Sequence, residues 1–140
     1  MSDQVDRQSA LTFRMARRRY ALSLRSTAGV QDLGKVRRIP GAPPHWLGVA
    51  DWGGSVVNVI DLPDLLEDTS IESVKSVVRL REPHAGIAVF VPAHLGLCEL
   101  RSPQNPGDSA LYTALGGGSD TFHWIHLDSI VAACSKQTVP

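Results

Sequence analysis

Short segments with the patterning of β-strands recur along the chain about every 8–12 residues, each followed by a turn rich in glycine, proline or charged side chains. About seven or eight segments fit this pattern, together with two or three short helical patterns. Small all-β folds have this spacing because each strand must reverse direction before it can pair with its neighbour. The sequence therefore predicts a β-barrel or a pair of β-barrels.

The first two segments predict a β-hairpin. In residues 11–15 (LTFRM) and residues 20–24 (YALSL), every second side chain is apolar, which is typical of a half-buried strand. The short segment ARRR at residues 16–19 separates them and predicts the connecting turn, with its three arginines in solvent.

Residues 26–38 are less regular. Val30, Leu33 and Val36 recur at helical spacing, but two glycines in this segment weaken any helix. We predict a short irregular helix followed by an extended piece. Residues 39–44 (IPGAPP) then interrupt regular structure, because proline fixes φ and cannot donate a hydrogen bond to a strand ladder.

The longest apolar segment, residues 45–66, reads HWLGVADWGGSVVNVIDLPDLL. Residues 46–51 and 55–60 predict two strands around a turn at Trp52-Gly53-Gly54. The second strand carries β-branched side chains on both faces, which is typical of a strand that is covered on both sides. The residues predicted to form the barrel interior are Val56, Val57, Val59 and Ile60.

A short helix is predicted directly after this segment of strands. Asp61 suits its N-cap, Pro63 falls in its first turn, and Asp64 stands where a carboxylate favours the helix dipole. Asp128 is predicted to cap a last helix with apolar residues at i, i+3, i+4 and i+7 spacing. Further strands are predicted at residues 74–81, 86–91, 95–100 and 121–126, with loops at residues 102–109 and 116–120.

Composition argues against a membrane-spanning or secreted protein. Hydrophobic residues make up 43% of the chain, no apolar run approaches the roughly 20 residues that cross a membrane, and residues 1–9 lack the pattern of a secretory signal. A cytoplasmic location is therefore predicted, with Cys98 and Cys134 as small, buried, unpaired residues.

Net charge is zero, which argues against a general nucleic-acid binder. However, residues 1–40 carry a net charge of +6 and residues 41–140 a net charge of −6. This asymmetry fits either basic loops on one side of a domain or a basic face for an acidic partner.

No catalytic, metal or cofactor site is predicted. Asp51 and Asp61 lack the small-hydroxyl-glycine context of an acid dyad, since Trp52 takes the place of the hydroxyl. His123 and His126 are three apart on a predicted strand, so they point to opposite faces. The remaining histidines, His45, His84 and His94, lie beside turns and are predicted to be exposed.

A binding module remains, and the two tryptophans around residues 48–54 fit its requirements. Trp46 and Trp52 are either interface residues or core residues, and tryptophan is enriched at interface hot spots. Gly53 and Gly54 permit positive φ at the turn, which brings the backbone close to a neighbour.

The chain resembles the CheW-like domain family. The resemblance is carried by RRRYALSL and by VRRIPGAPPHWLGVADWGGSVVNVIDLPDLL, which is similar to the family pattern of apolar-x-Gly-Val-x-Asn-x-Arg-Gly-x-Val-Val-Pro-Val-apolar-Asp-Leu. The later segments HAGIAVFVPAHLGLCEL and FHWIHLDSIVAA correspond to a strand pair and to the closing strand and helix. The segments RRRY and PHWLGVADW resemble adaptors of pilus-type (twitching motility) chemosensory systems.

This resemblance implies a mainly β fold of two small, packed, SH3-like five-stranded β-barrels with short helices. It implies one domain over residues 10–134, built of two intertwined barrels, with a flexible tail at residues 1–9 and another at residues 135–140. It also implies a non-enzymatic adaptor that couples chemoreceptor tips to the regulatory domain of a histidine kinase, with the second barrel of one protein docking on the first barrel of the other.

Three departures from the family pattern bear on this function. The usual Asn-x-Arg-Gly is Asp51-Trp52-Gly53-Gly54 here, so the arginine that reaches partners in the family is missing. Pro92 replaces an aspartate in a strand, and residues 27–29 (TAG) are smaller than the family prefers.

Two alternatives stay open beside the adaptor. One is a diverged regulator that binds a single partner or competes with a standard adaptor. The other is a small barrel that binds nucleic acid through Arg17, Arg18, Arg19, Arg37 and Arg38.

The predicted partner-binding residues lie on and beside the turn at Trp52-Gly53-Gly54. We expect replacement of Trp52 by alanine to weaken partner binding while leaving thermal stability nearly unchanged. The full predicted set is Trp46, Leu47, Val49, Asp51, Trp52, Gly53 and Gly54.

Overall fold

The computed structural model describes residues 7–101, 103, 111–115 and 121–135. This part of the chain contains eleven β-strands in two sheets and two α-helices, which confirms the prediction of a mainly β protein. Residues 1–6 and 136–140 of the predicted tails, and most of the two loops predicted at residues 102–109 and 116–120, lie outside the described residues.

The elements follow one another in short lengths, as the sequence pattern predicts. A 3-10 turn, Leu24–Ser26, separates the second and third strands. The strands are β1 (Arg7–Arg14), β2 (Arg19–Ser23), β3 (Thr27–Asp32), β4 (Val36–Arg37), β5 (Trp46–Trp52), β6 (Ser55–Asp61), β7 (Ser76–Leu80), β8 (Ile87–Val91), β9 (Gly96–Arg101), β10 (Tyr112–Leu115) and β11 (Phe122–Ile125). The helices are α1 (Leu62–Leu66) and α2 (Leu127–Ser135).

The strands form one five-stranded sheet, in the order β10-β11-β2-β1-β9, and one six-stranded sheet, in the order β3-β7-β8-β6-β5-β4. The two predicted hairpins, β1–β2 and β5–β6, are antiparallel neighbours. Two parallel pairs, β11 with β2 and β6 with β8, join strands that are distant in sequence. The chain passes from the five-stranded sheet to the six-stranded sheet at residues 24–26 and returns at residues 92–95.

Alternating side chains give each sheet two apolar faces. On one face, each sheet has a small cluster of its own: Ala10, Ala21 and Trp124 in the five-stranded sheet, and Ala50, Val57, Val59, Val77 and Ala88 in the six-stranded sheet. The opposite faces share a large main cluster, to which β1, β2, β6, β7, β8, β11 and both helices contribute. Burial on both faces explains why β8 is apolar throughout.

The six-stranded sheet rolls up until its edge strand β3 approaches β5. The side-chain amide of Gln31 donates to the carbonyl oxygen of Asp51 at 3.3 Å, and a Cβ on Gly29 would lie 3.4 Å from Cζ2 of Trp52. The sheet is therefore strongly curved around the small cluster containing Val57 and Val59, and its edge strands β3 and β4 are not paired with each other.

The short helix α1 begins as predicted. Asp61 is its N-cap and accepts a hydrogen bond from the amide of Asp64, and Pro63 lies in the first turn. Burial raises the pKa of Asp61, and the hydrogen bond from Asp64 opposes that shift. The three leucines of the helix, Leu62, Leu65 and Leu66, are buried in the main cluster.

The helix predicted within residues 26–38 is wrong, because Thr27–Asp32 is the edge strand β3. Its side chains alternate between buried or half-buried and exposed, and Val30 is 47% exposed. Leu33 and Val36 contact the cluster inside the six-stranded sheet because the chain bends between β3 and β4, which explains their helical spacing without a helix.

Two smaller predictions also need correction. Cys134 is buried and Cys98 is only half-buried, since Cys98 lies on the edge strand β9; both thiols are free. Strand β10 was not predicted, because Tyr112–Leu115 is too short for a clear periodic pattern. No helix in the described part of the chain has the length and apolar character needed to span a membrane.

Candidate functional site

The turn between β5 and β6 has the geometry that its two glycines predict. Trp52 pairs with Ser55, so Gly53 and Gly54 form a two-residue turn with φ of 55° and 91°. Positive φ at both central positions defines a type I′ turn, whose twist matches that of the flanking strands. A Cβ on either glycine would meet nothing within 4 Å, so the turn extends into open space.

Gly48 sets the start of the same hairpin. Its φ is 145°, and it adjoins the irregularity in the β5–β6 register between Trp46 and Gly48. A Cβ at this position would lie 2.5 Å from the carbonyl oxygen of Arg37 and 2.7 Å from Cγ1 of Val36. Glycine therefore allows the two-residue strand β4 to lie directly against β5.

A groove of about 640 Å³ lies along β4, β5 and the start of β6. Its walls combine apolar side chains with charges of both signs. The lining residues are Lys35, Val36, Arg37, Val49, Ala50, Asp51 and Val56. We call this surface the hairpin groove.

The seven residues predicted to bind a partner divide into three groups. Val49 and Asp51 line the hairpin groove, and Gly53 and Gly54 form the turn beside it. Leu47 and Trp52 pack against the cluster inside the six-stranded sheet. Trp46 packs against the main cluster on one side and lines a separate depression of about 330 Å³ on the other, together with Ile39, Ala42, Pro43, Gly48 and Asn58.

Val56 was predicted to be in the barrel interior, and this prediction is wrong: the residue is 69% exposed and lines the hairpin groove. Along β6, Val57 and Val59 face the inside of the six-stranded sheet, whereas Val56 and Asn58 face outward. Only Ile60, farther from the turn, reaches the main cluster. The polar Asn58, two residues from Val56, was the signal in the sequence that this end of the strand is uncovered.

Trp52 is half-buried and belongs partly to the core. Its ring lies between the cluster inside the six-stranded sheet and Gly29 on the opposite edge strand. Removal of a large side chain from such a place leaves a cavity. Replacement by alanine is therefore expected to lower thermal stability as well as partner binding, in place of the unchanged stability expected from the sequence.

The acidic residues considered for catalysis stand apart. Asp51 lies opposite Val56 near the turn, and Asp61 lies at the far end of β6. Asp61 lies five positions after Val56 along the strand, which corresponds to a distance of about 17 Å. The two carboxylates consequently do not form a pair, and Asp61 already caps α1.

The histidines are engaged with individual partners. His123 lies 3.1 Å from the carbonyl oxygen of Arg19, and His126 lies 2.7 Å from the hydroxyl of Thr113. Burial lowers the pKa of His126. Within the described residues, no three metal-ligating side chains come together.

His45, His84 and His94 each contact one carboxylate. The distances are 2.8 Å to Asp64, 2.8 Å to Asp128 and 2.9 Å to Glu72, in that order. His94 is exposed as predicted, whereas the side chains of His45 and His84 are only 29% and 21% exposed because they pack beside the helices.

The three arginines of the β1–β2 turn are more engaged than predicted. The Arg17 side chain donates to the carbonyl oxygen of Glu67 at 3.3 Å. The guanidinium of Arg18 lies 5.3 Å from the ring centre of Tyr112, and that of Arg19 lies 4.4 Å from the ring centre of Phe122. The guanidinium groups that a nucleic-acid site would need are therefore in contact with the protein itself.

Comparison with known proteins gives the family. A sequence model of the CheW-like domain matches residues 9–104, which is more than half of the chain. Comparison with curated protein sequences gives no match. Among solved structures, the chain is similar to the scaffolding protein TtCheW from Thermoanaerobacter tengcongensis, with a TM-score of 0.72, 18% identity, and coverage of 86% of this chain and 84% of that one. At that identity the similarity shows the fold alone. On the family match and the two-sheet architecture together, the chain belongs to the CheW-like domain family.

Proposed function

We propose that this protein is a non-catalytic adaptor of a bacterial chemosensory signalling system, located in the cytoplasm. In this role it binds the regulatory domain of a histidine kinase and the cytoplasmic tips of chemoreceptors. Membership in the CheW-like family supports the proposal, as does the similarity in fold to a protein described as a scaffolding protein.

The hairpin groove is the main structural support for this proposal, because it combines apolar and charged side chains next to an uncovered turn. Val56 is exposed there, and Val49, Asp51 and Arg37 line the same groove. An exposed apolar patch with a polar rim is typical of a protein interface.

We assign different roles to the seven residues predicted from the sequence. Val49 and Asp51, with Val56 added, contact the kinase regulatory domain. Gly53 and Gly54 shape the turn. Trp46, Leu47 and Trp52 support the hairpin from behind, since each packs against an apolar cluster.

Gly53 favours a second candidate, a diverged regulator that binds only one of the two partners or competes with a standard adaptor. The family pattern that the chain resembles has an arginine here, which a partner carboxylate can hold in a charge-assisted hydrogen bond worth about 1.5–3 kcal/mol. The glycine provides no such bond, so affinity for the kinase is expected to be reduced. A nucleic-acid function receives no comparable support, since Arg17, Arg18 and Arg19 contact the protein itself.

Binding measurements with each partner separate these candidates. The chain is titrated into a kinase regulatory domain and, separately, into a soluble chemoreceptor tip, and Gly53→Arg is compared with Gly53→Gln in the first titration. Both substitutions carry the same backbone cost at positive φ, but only the arginine supplies the charge. We expect Gly53→Arg to bind the kinase domain about tenfold more tightly than Gly53→Gln.

Binding of the unmodified chain to both partners supports the adaptor. Binding to the receptor tip alone supports the one-partner regulator. Failure to bind either partner, in a chain that is folded, contradicts the proposed function.

A further inference from the structure

Three arginines that are distant in sequence meet at a second surface, away from the hairpin groove. A pocket of about 450 Å³ lies where the start of β1, the 3-10 turn and the ends of β7 and β9 come together. Its lining residues are Arg7, Gln8, Ser9, Leu24, Arg25, Arg81 and Glu99. We call it the arginine pocket.

The guanidinium groups of this pocket are only partly used by the protein. Arg81 donates from Nε to the carbonyl oxygen of Thr27 at 2.7 Å, which fixes its side chain and leaves the outer nitrogens of its fork available. Arg25 has no hydrogen-bond or ion-pair partner within the described residues. Arg7 faces Glu99 at 4.0 Å, and both side chains are more than half exposed, so this ion pair is weak.

Among the residues that the structure describes, the pocket lining therefore has an excess of positive charge, with three arginines against one glutamate. Its arginines come from both sides of the junction between the sheets, and two of them belong to the first 40 residues, whose net charge is +6. Leu24 adds an apolar element, since it is 37% exposed at the pocket wall. A rigid guanidinium fork matches the planar geometry of a carboxylate.

We propose that the arginine pocket binds the carboxylates of an acidic, amphipathic segment of a protein partner. Arg25 and Arg81 receive the carboxylates, and Leu24 contacts an apolar side chain of the same segment. Glu99, whose carboxylate lies 4.0 Å from Nε of Arg7, is the one acidic group among the described lining residues and competes with the segment for Arg7.

Nucleic acid fits the pocket less well than a peptide does. The part of its lining that the structure describes contains no aromatic side chain on which a base could stack, and Glu99 repels a phosphate backbone. Among the described residues, neither α-helix begins at the pocket, and an α-helix N-terminus often completes a phosphate site.

The inference goes beyond the adaptor function and can be tested without a kinase or a receptor. The probe is a fluorescent peptide of repeated Ala-Glu-Glu-Leu, with Ala-Gln-Gln-Leu as the neutral control, and fluorescence anisotropy reports its binding to the full chain. Arg25→Gln is compared with Arg14→Gln, which removes the same charge from an exposed strand position outside the pocket. Glu99→Gln completes the set of variants.

We expect Arg25→Gln to weaken binding of the acidic peptide about two- to fivefold, the range typical of exposed pairs of opposite charge. Glu99→Gln should strengthen binding by a similar factor, because it removes the carboxylate that competes for Arg7. Arg14→Gln should leave the affinity unchanged. Binding of the acidic peptide should also fall as salt is added.

Several results would overturn the inference. These are equal weakening by Arg14→Gln and Arg25→Gln, no gain with Glu99→Gln, or preferential binding of duplex DNA or inorganic phosphate at the same arginines. Binding seen only when Asp3 and Asp6 are changed to asparagine would assign the pocket to the chain's own N-terminus, which also contradicts the proposal. Thermal midpoints of all variants confirm that each is folded.

Discussion

Gly48→Ala is expected to lower the free energy of unfolding by about 2–4 kcal/mol, because it combines backbone strain with overpacking. The added Cβ would lie 2.5 Å from the carbonyl oxygen of Arg37, and φ of 145° is rare for a residue with a side chain. The conflict is most easily relieved by detachment of β4, which pairs with β5 through only two residues, Val36 and Arg37. The hairpin groove would then lose one wall.

Urea denaturation measures the loss, and amide hydrogen exchange locates it. Amides of β4 and the facing part of β5 should exchange faster in the variant, whereas those of β1 and β2 should keep their relative protection. Gly86→Ala is the matched control, since a Cβ there meets nothing within 4 Å and its φ is ordinary. A Gly48→Ala protein as stable as the Gly86→Ala protein would show that β4 does not lie as close to β5 as described.

Asp68→Ala is expected to lower the free energy of unfolding by about 3–5 kcal/mol. Each buried polar group that loses its hydrogen-bond partner destabilises the folded state by about 1–3 kcal/mol. Asp68 is only 2% exposed. Its carboxylate accepts hydrogen bonds from the Tyr20 hydroxyl at 2.8 Å, the Arg17 amide at 2.8 Å and the Thr69 amide at 2.9 Å. These bonds connect the tip of the β1–β2 hairpin to the chain that follows α1, and the Tyr20 side chain itself is fully buried.

Asp68→Asn provides the comparison for this prediction. The amide oxygen of asparagine can still accept a hydrogen bond, so this variant should lose less than half as much stability as Asp68→Ala. Tyr20→Phe removes the hydroxyl that donates to Asp68. In a protein that already carries Tyr20→Phe, Asp68→Ala should lower the free energy of unfolding by less than it does alone, because the two residues are coupled. Equal stability of Asp68→Ala and the unmodified chain would mean that the carboxylate does not hold the hairpin.

The sequence was most informative where one local pattern decides the structure. The β1–β2 and β5–β6 hairpins have alternating side chains or a glycine pair between strands, and α1 has its cap and proline in adjacent positions. It failed at residues 26–38, where an edge strand and a bend place apolar side chains at apparent helical spacing. Propensity alone cannot resolve such a segment, because pairing with β7 decides its conformation.

The two surfaces differ in how far they could be predicted. The hairpin turn follows from Gly53 and Gly54, but Val56 was misplaced because a run of valines does not show where the covering core ends. The arginine pocket could not be predicted at all. Pairing of β1 with β2 brings Arg7 towards Arg25, but Arg81 joins them only through pairing of β3 with β7, which depends on tertiary structure.

The most direct test of the proposed adaptor site is the affinity of the chain for a histidine kinase regulatory domain, measured by calorimetry with Val56→Asp and Leu97→Asp. Val56 and Leu97 are both 69% exposed, on β6 and on β9, so the two substitutions change charge and apolar surface to a similar extent. If the hairpin groove binds the kinase, Val56→Asp should weaken binding about tenfold or more, as expected for an interface hot spot, and Leu97→Asp should have little effect. Unchanged binding by Val56→Asp, or equal weakening by both variants, would contradict the assignment of the hairpin groove as the kinase-binding surface.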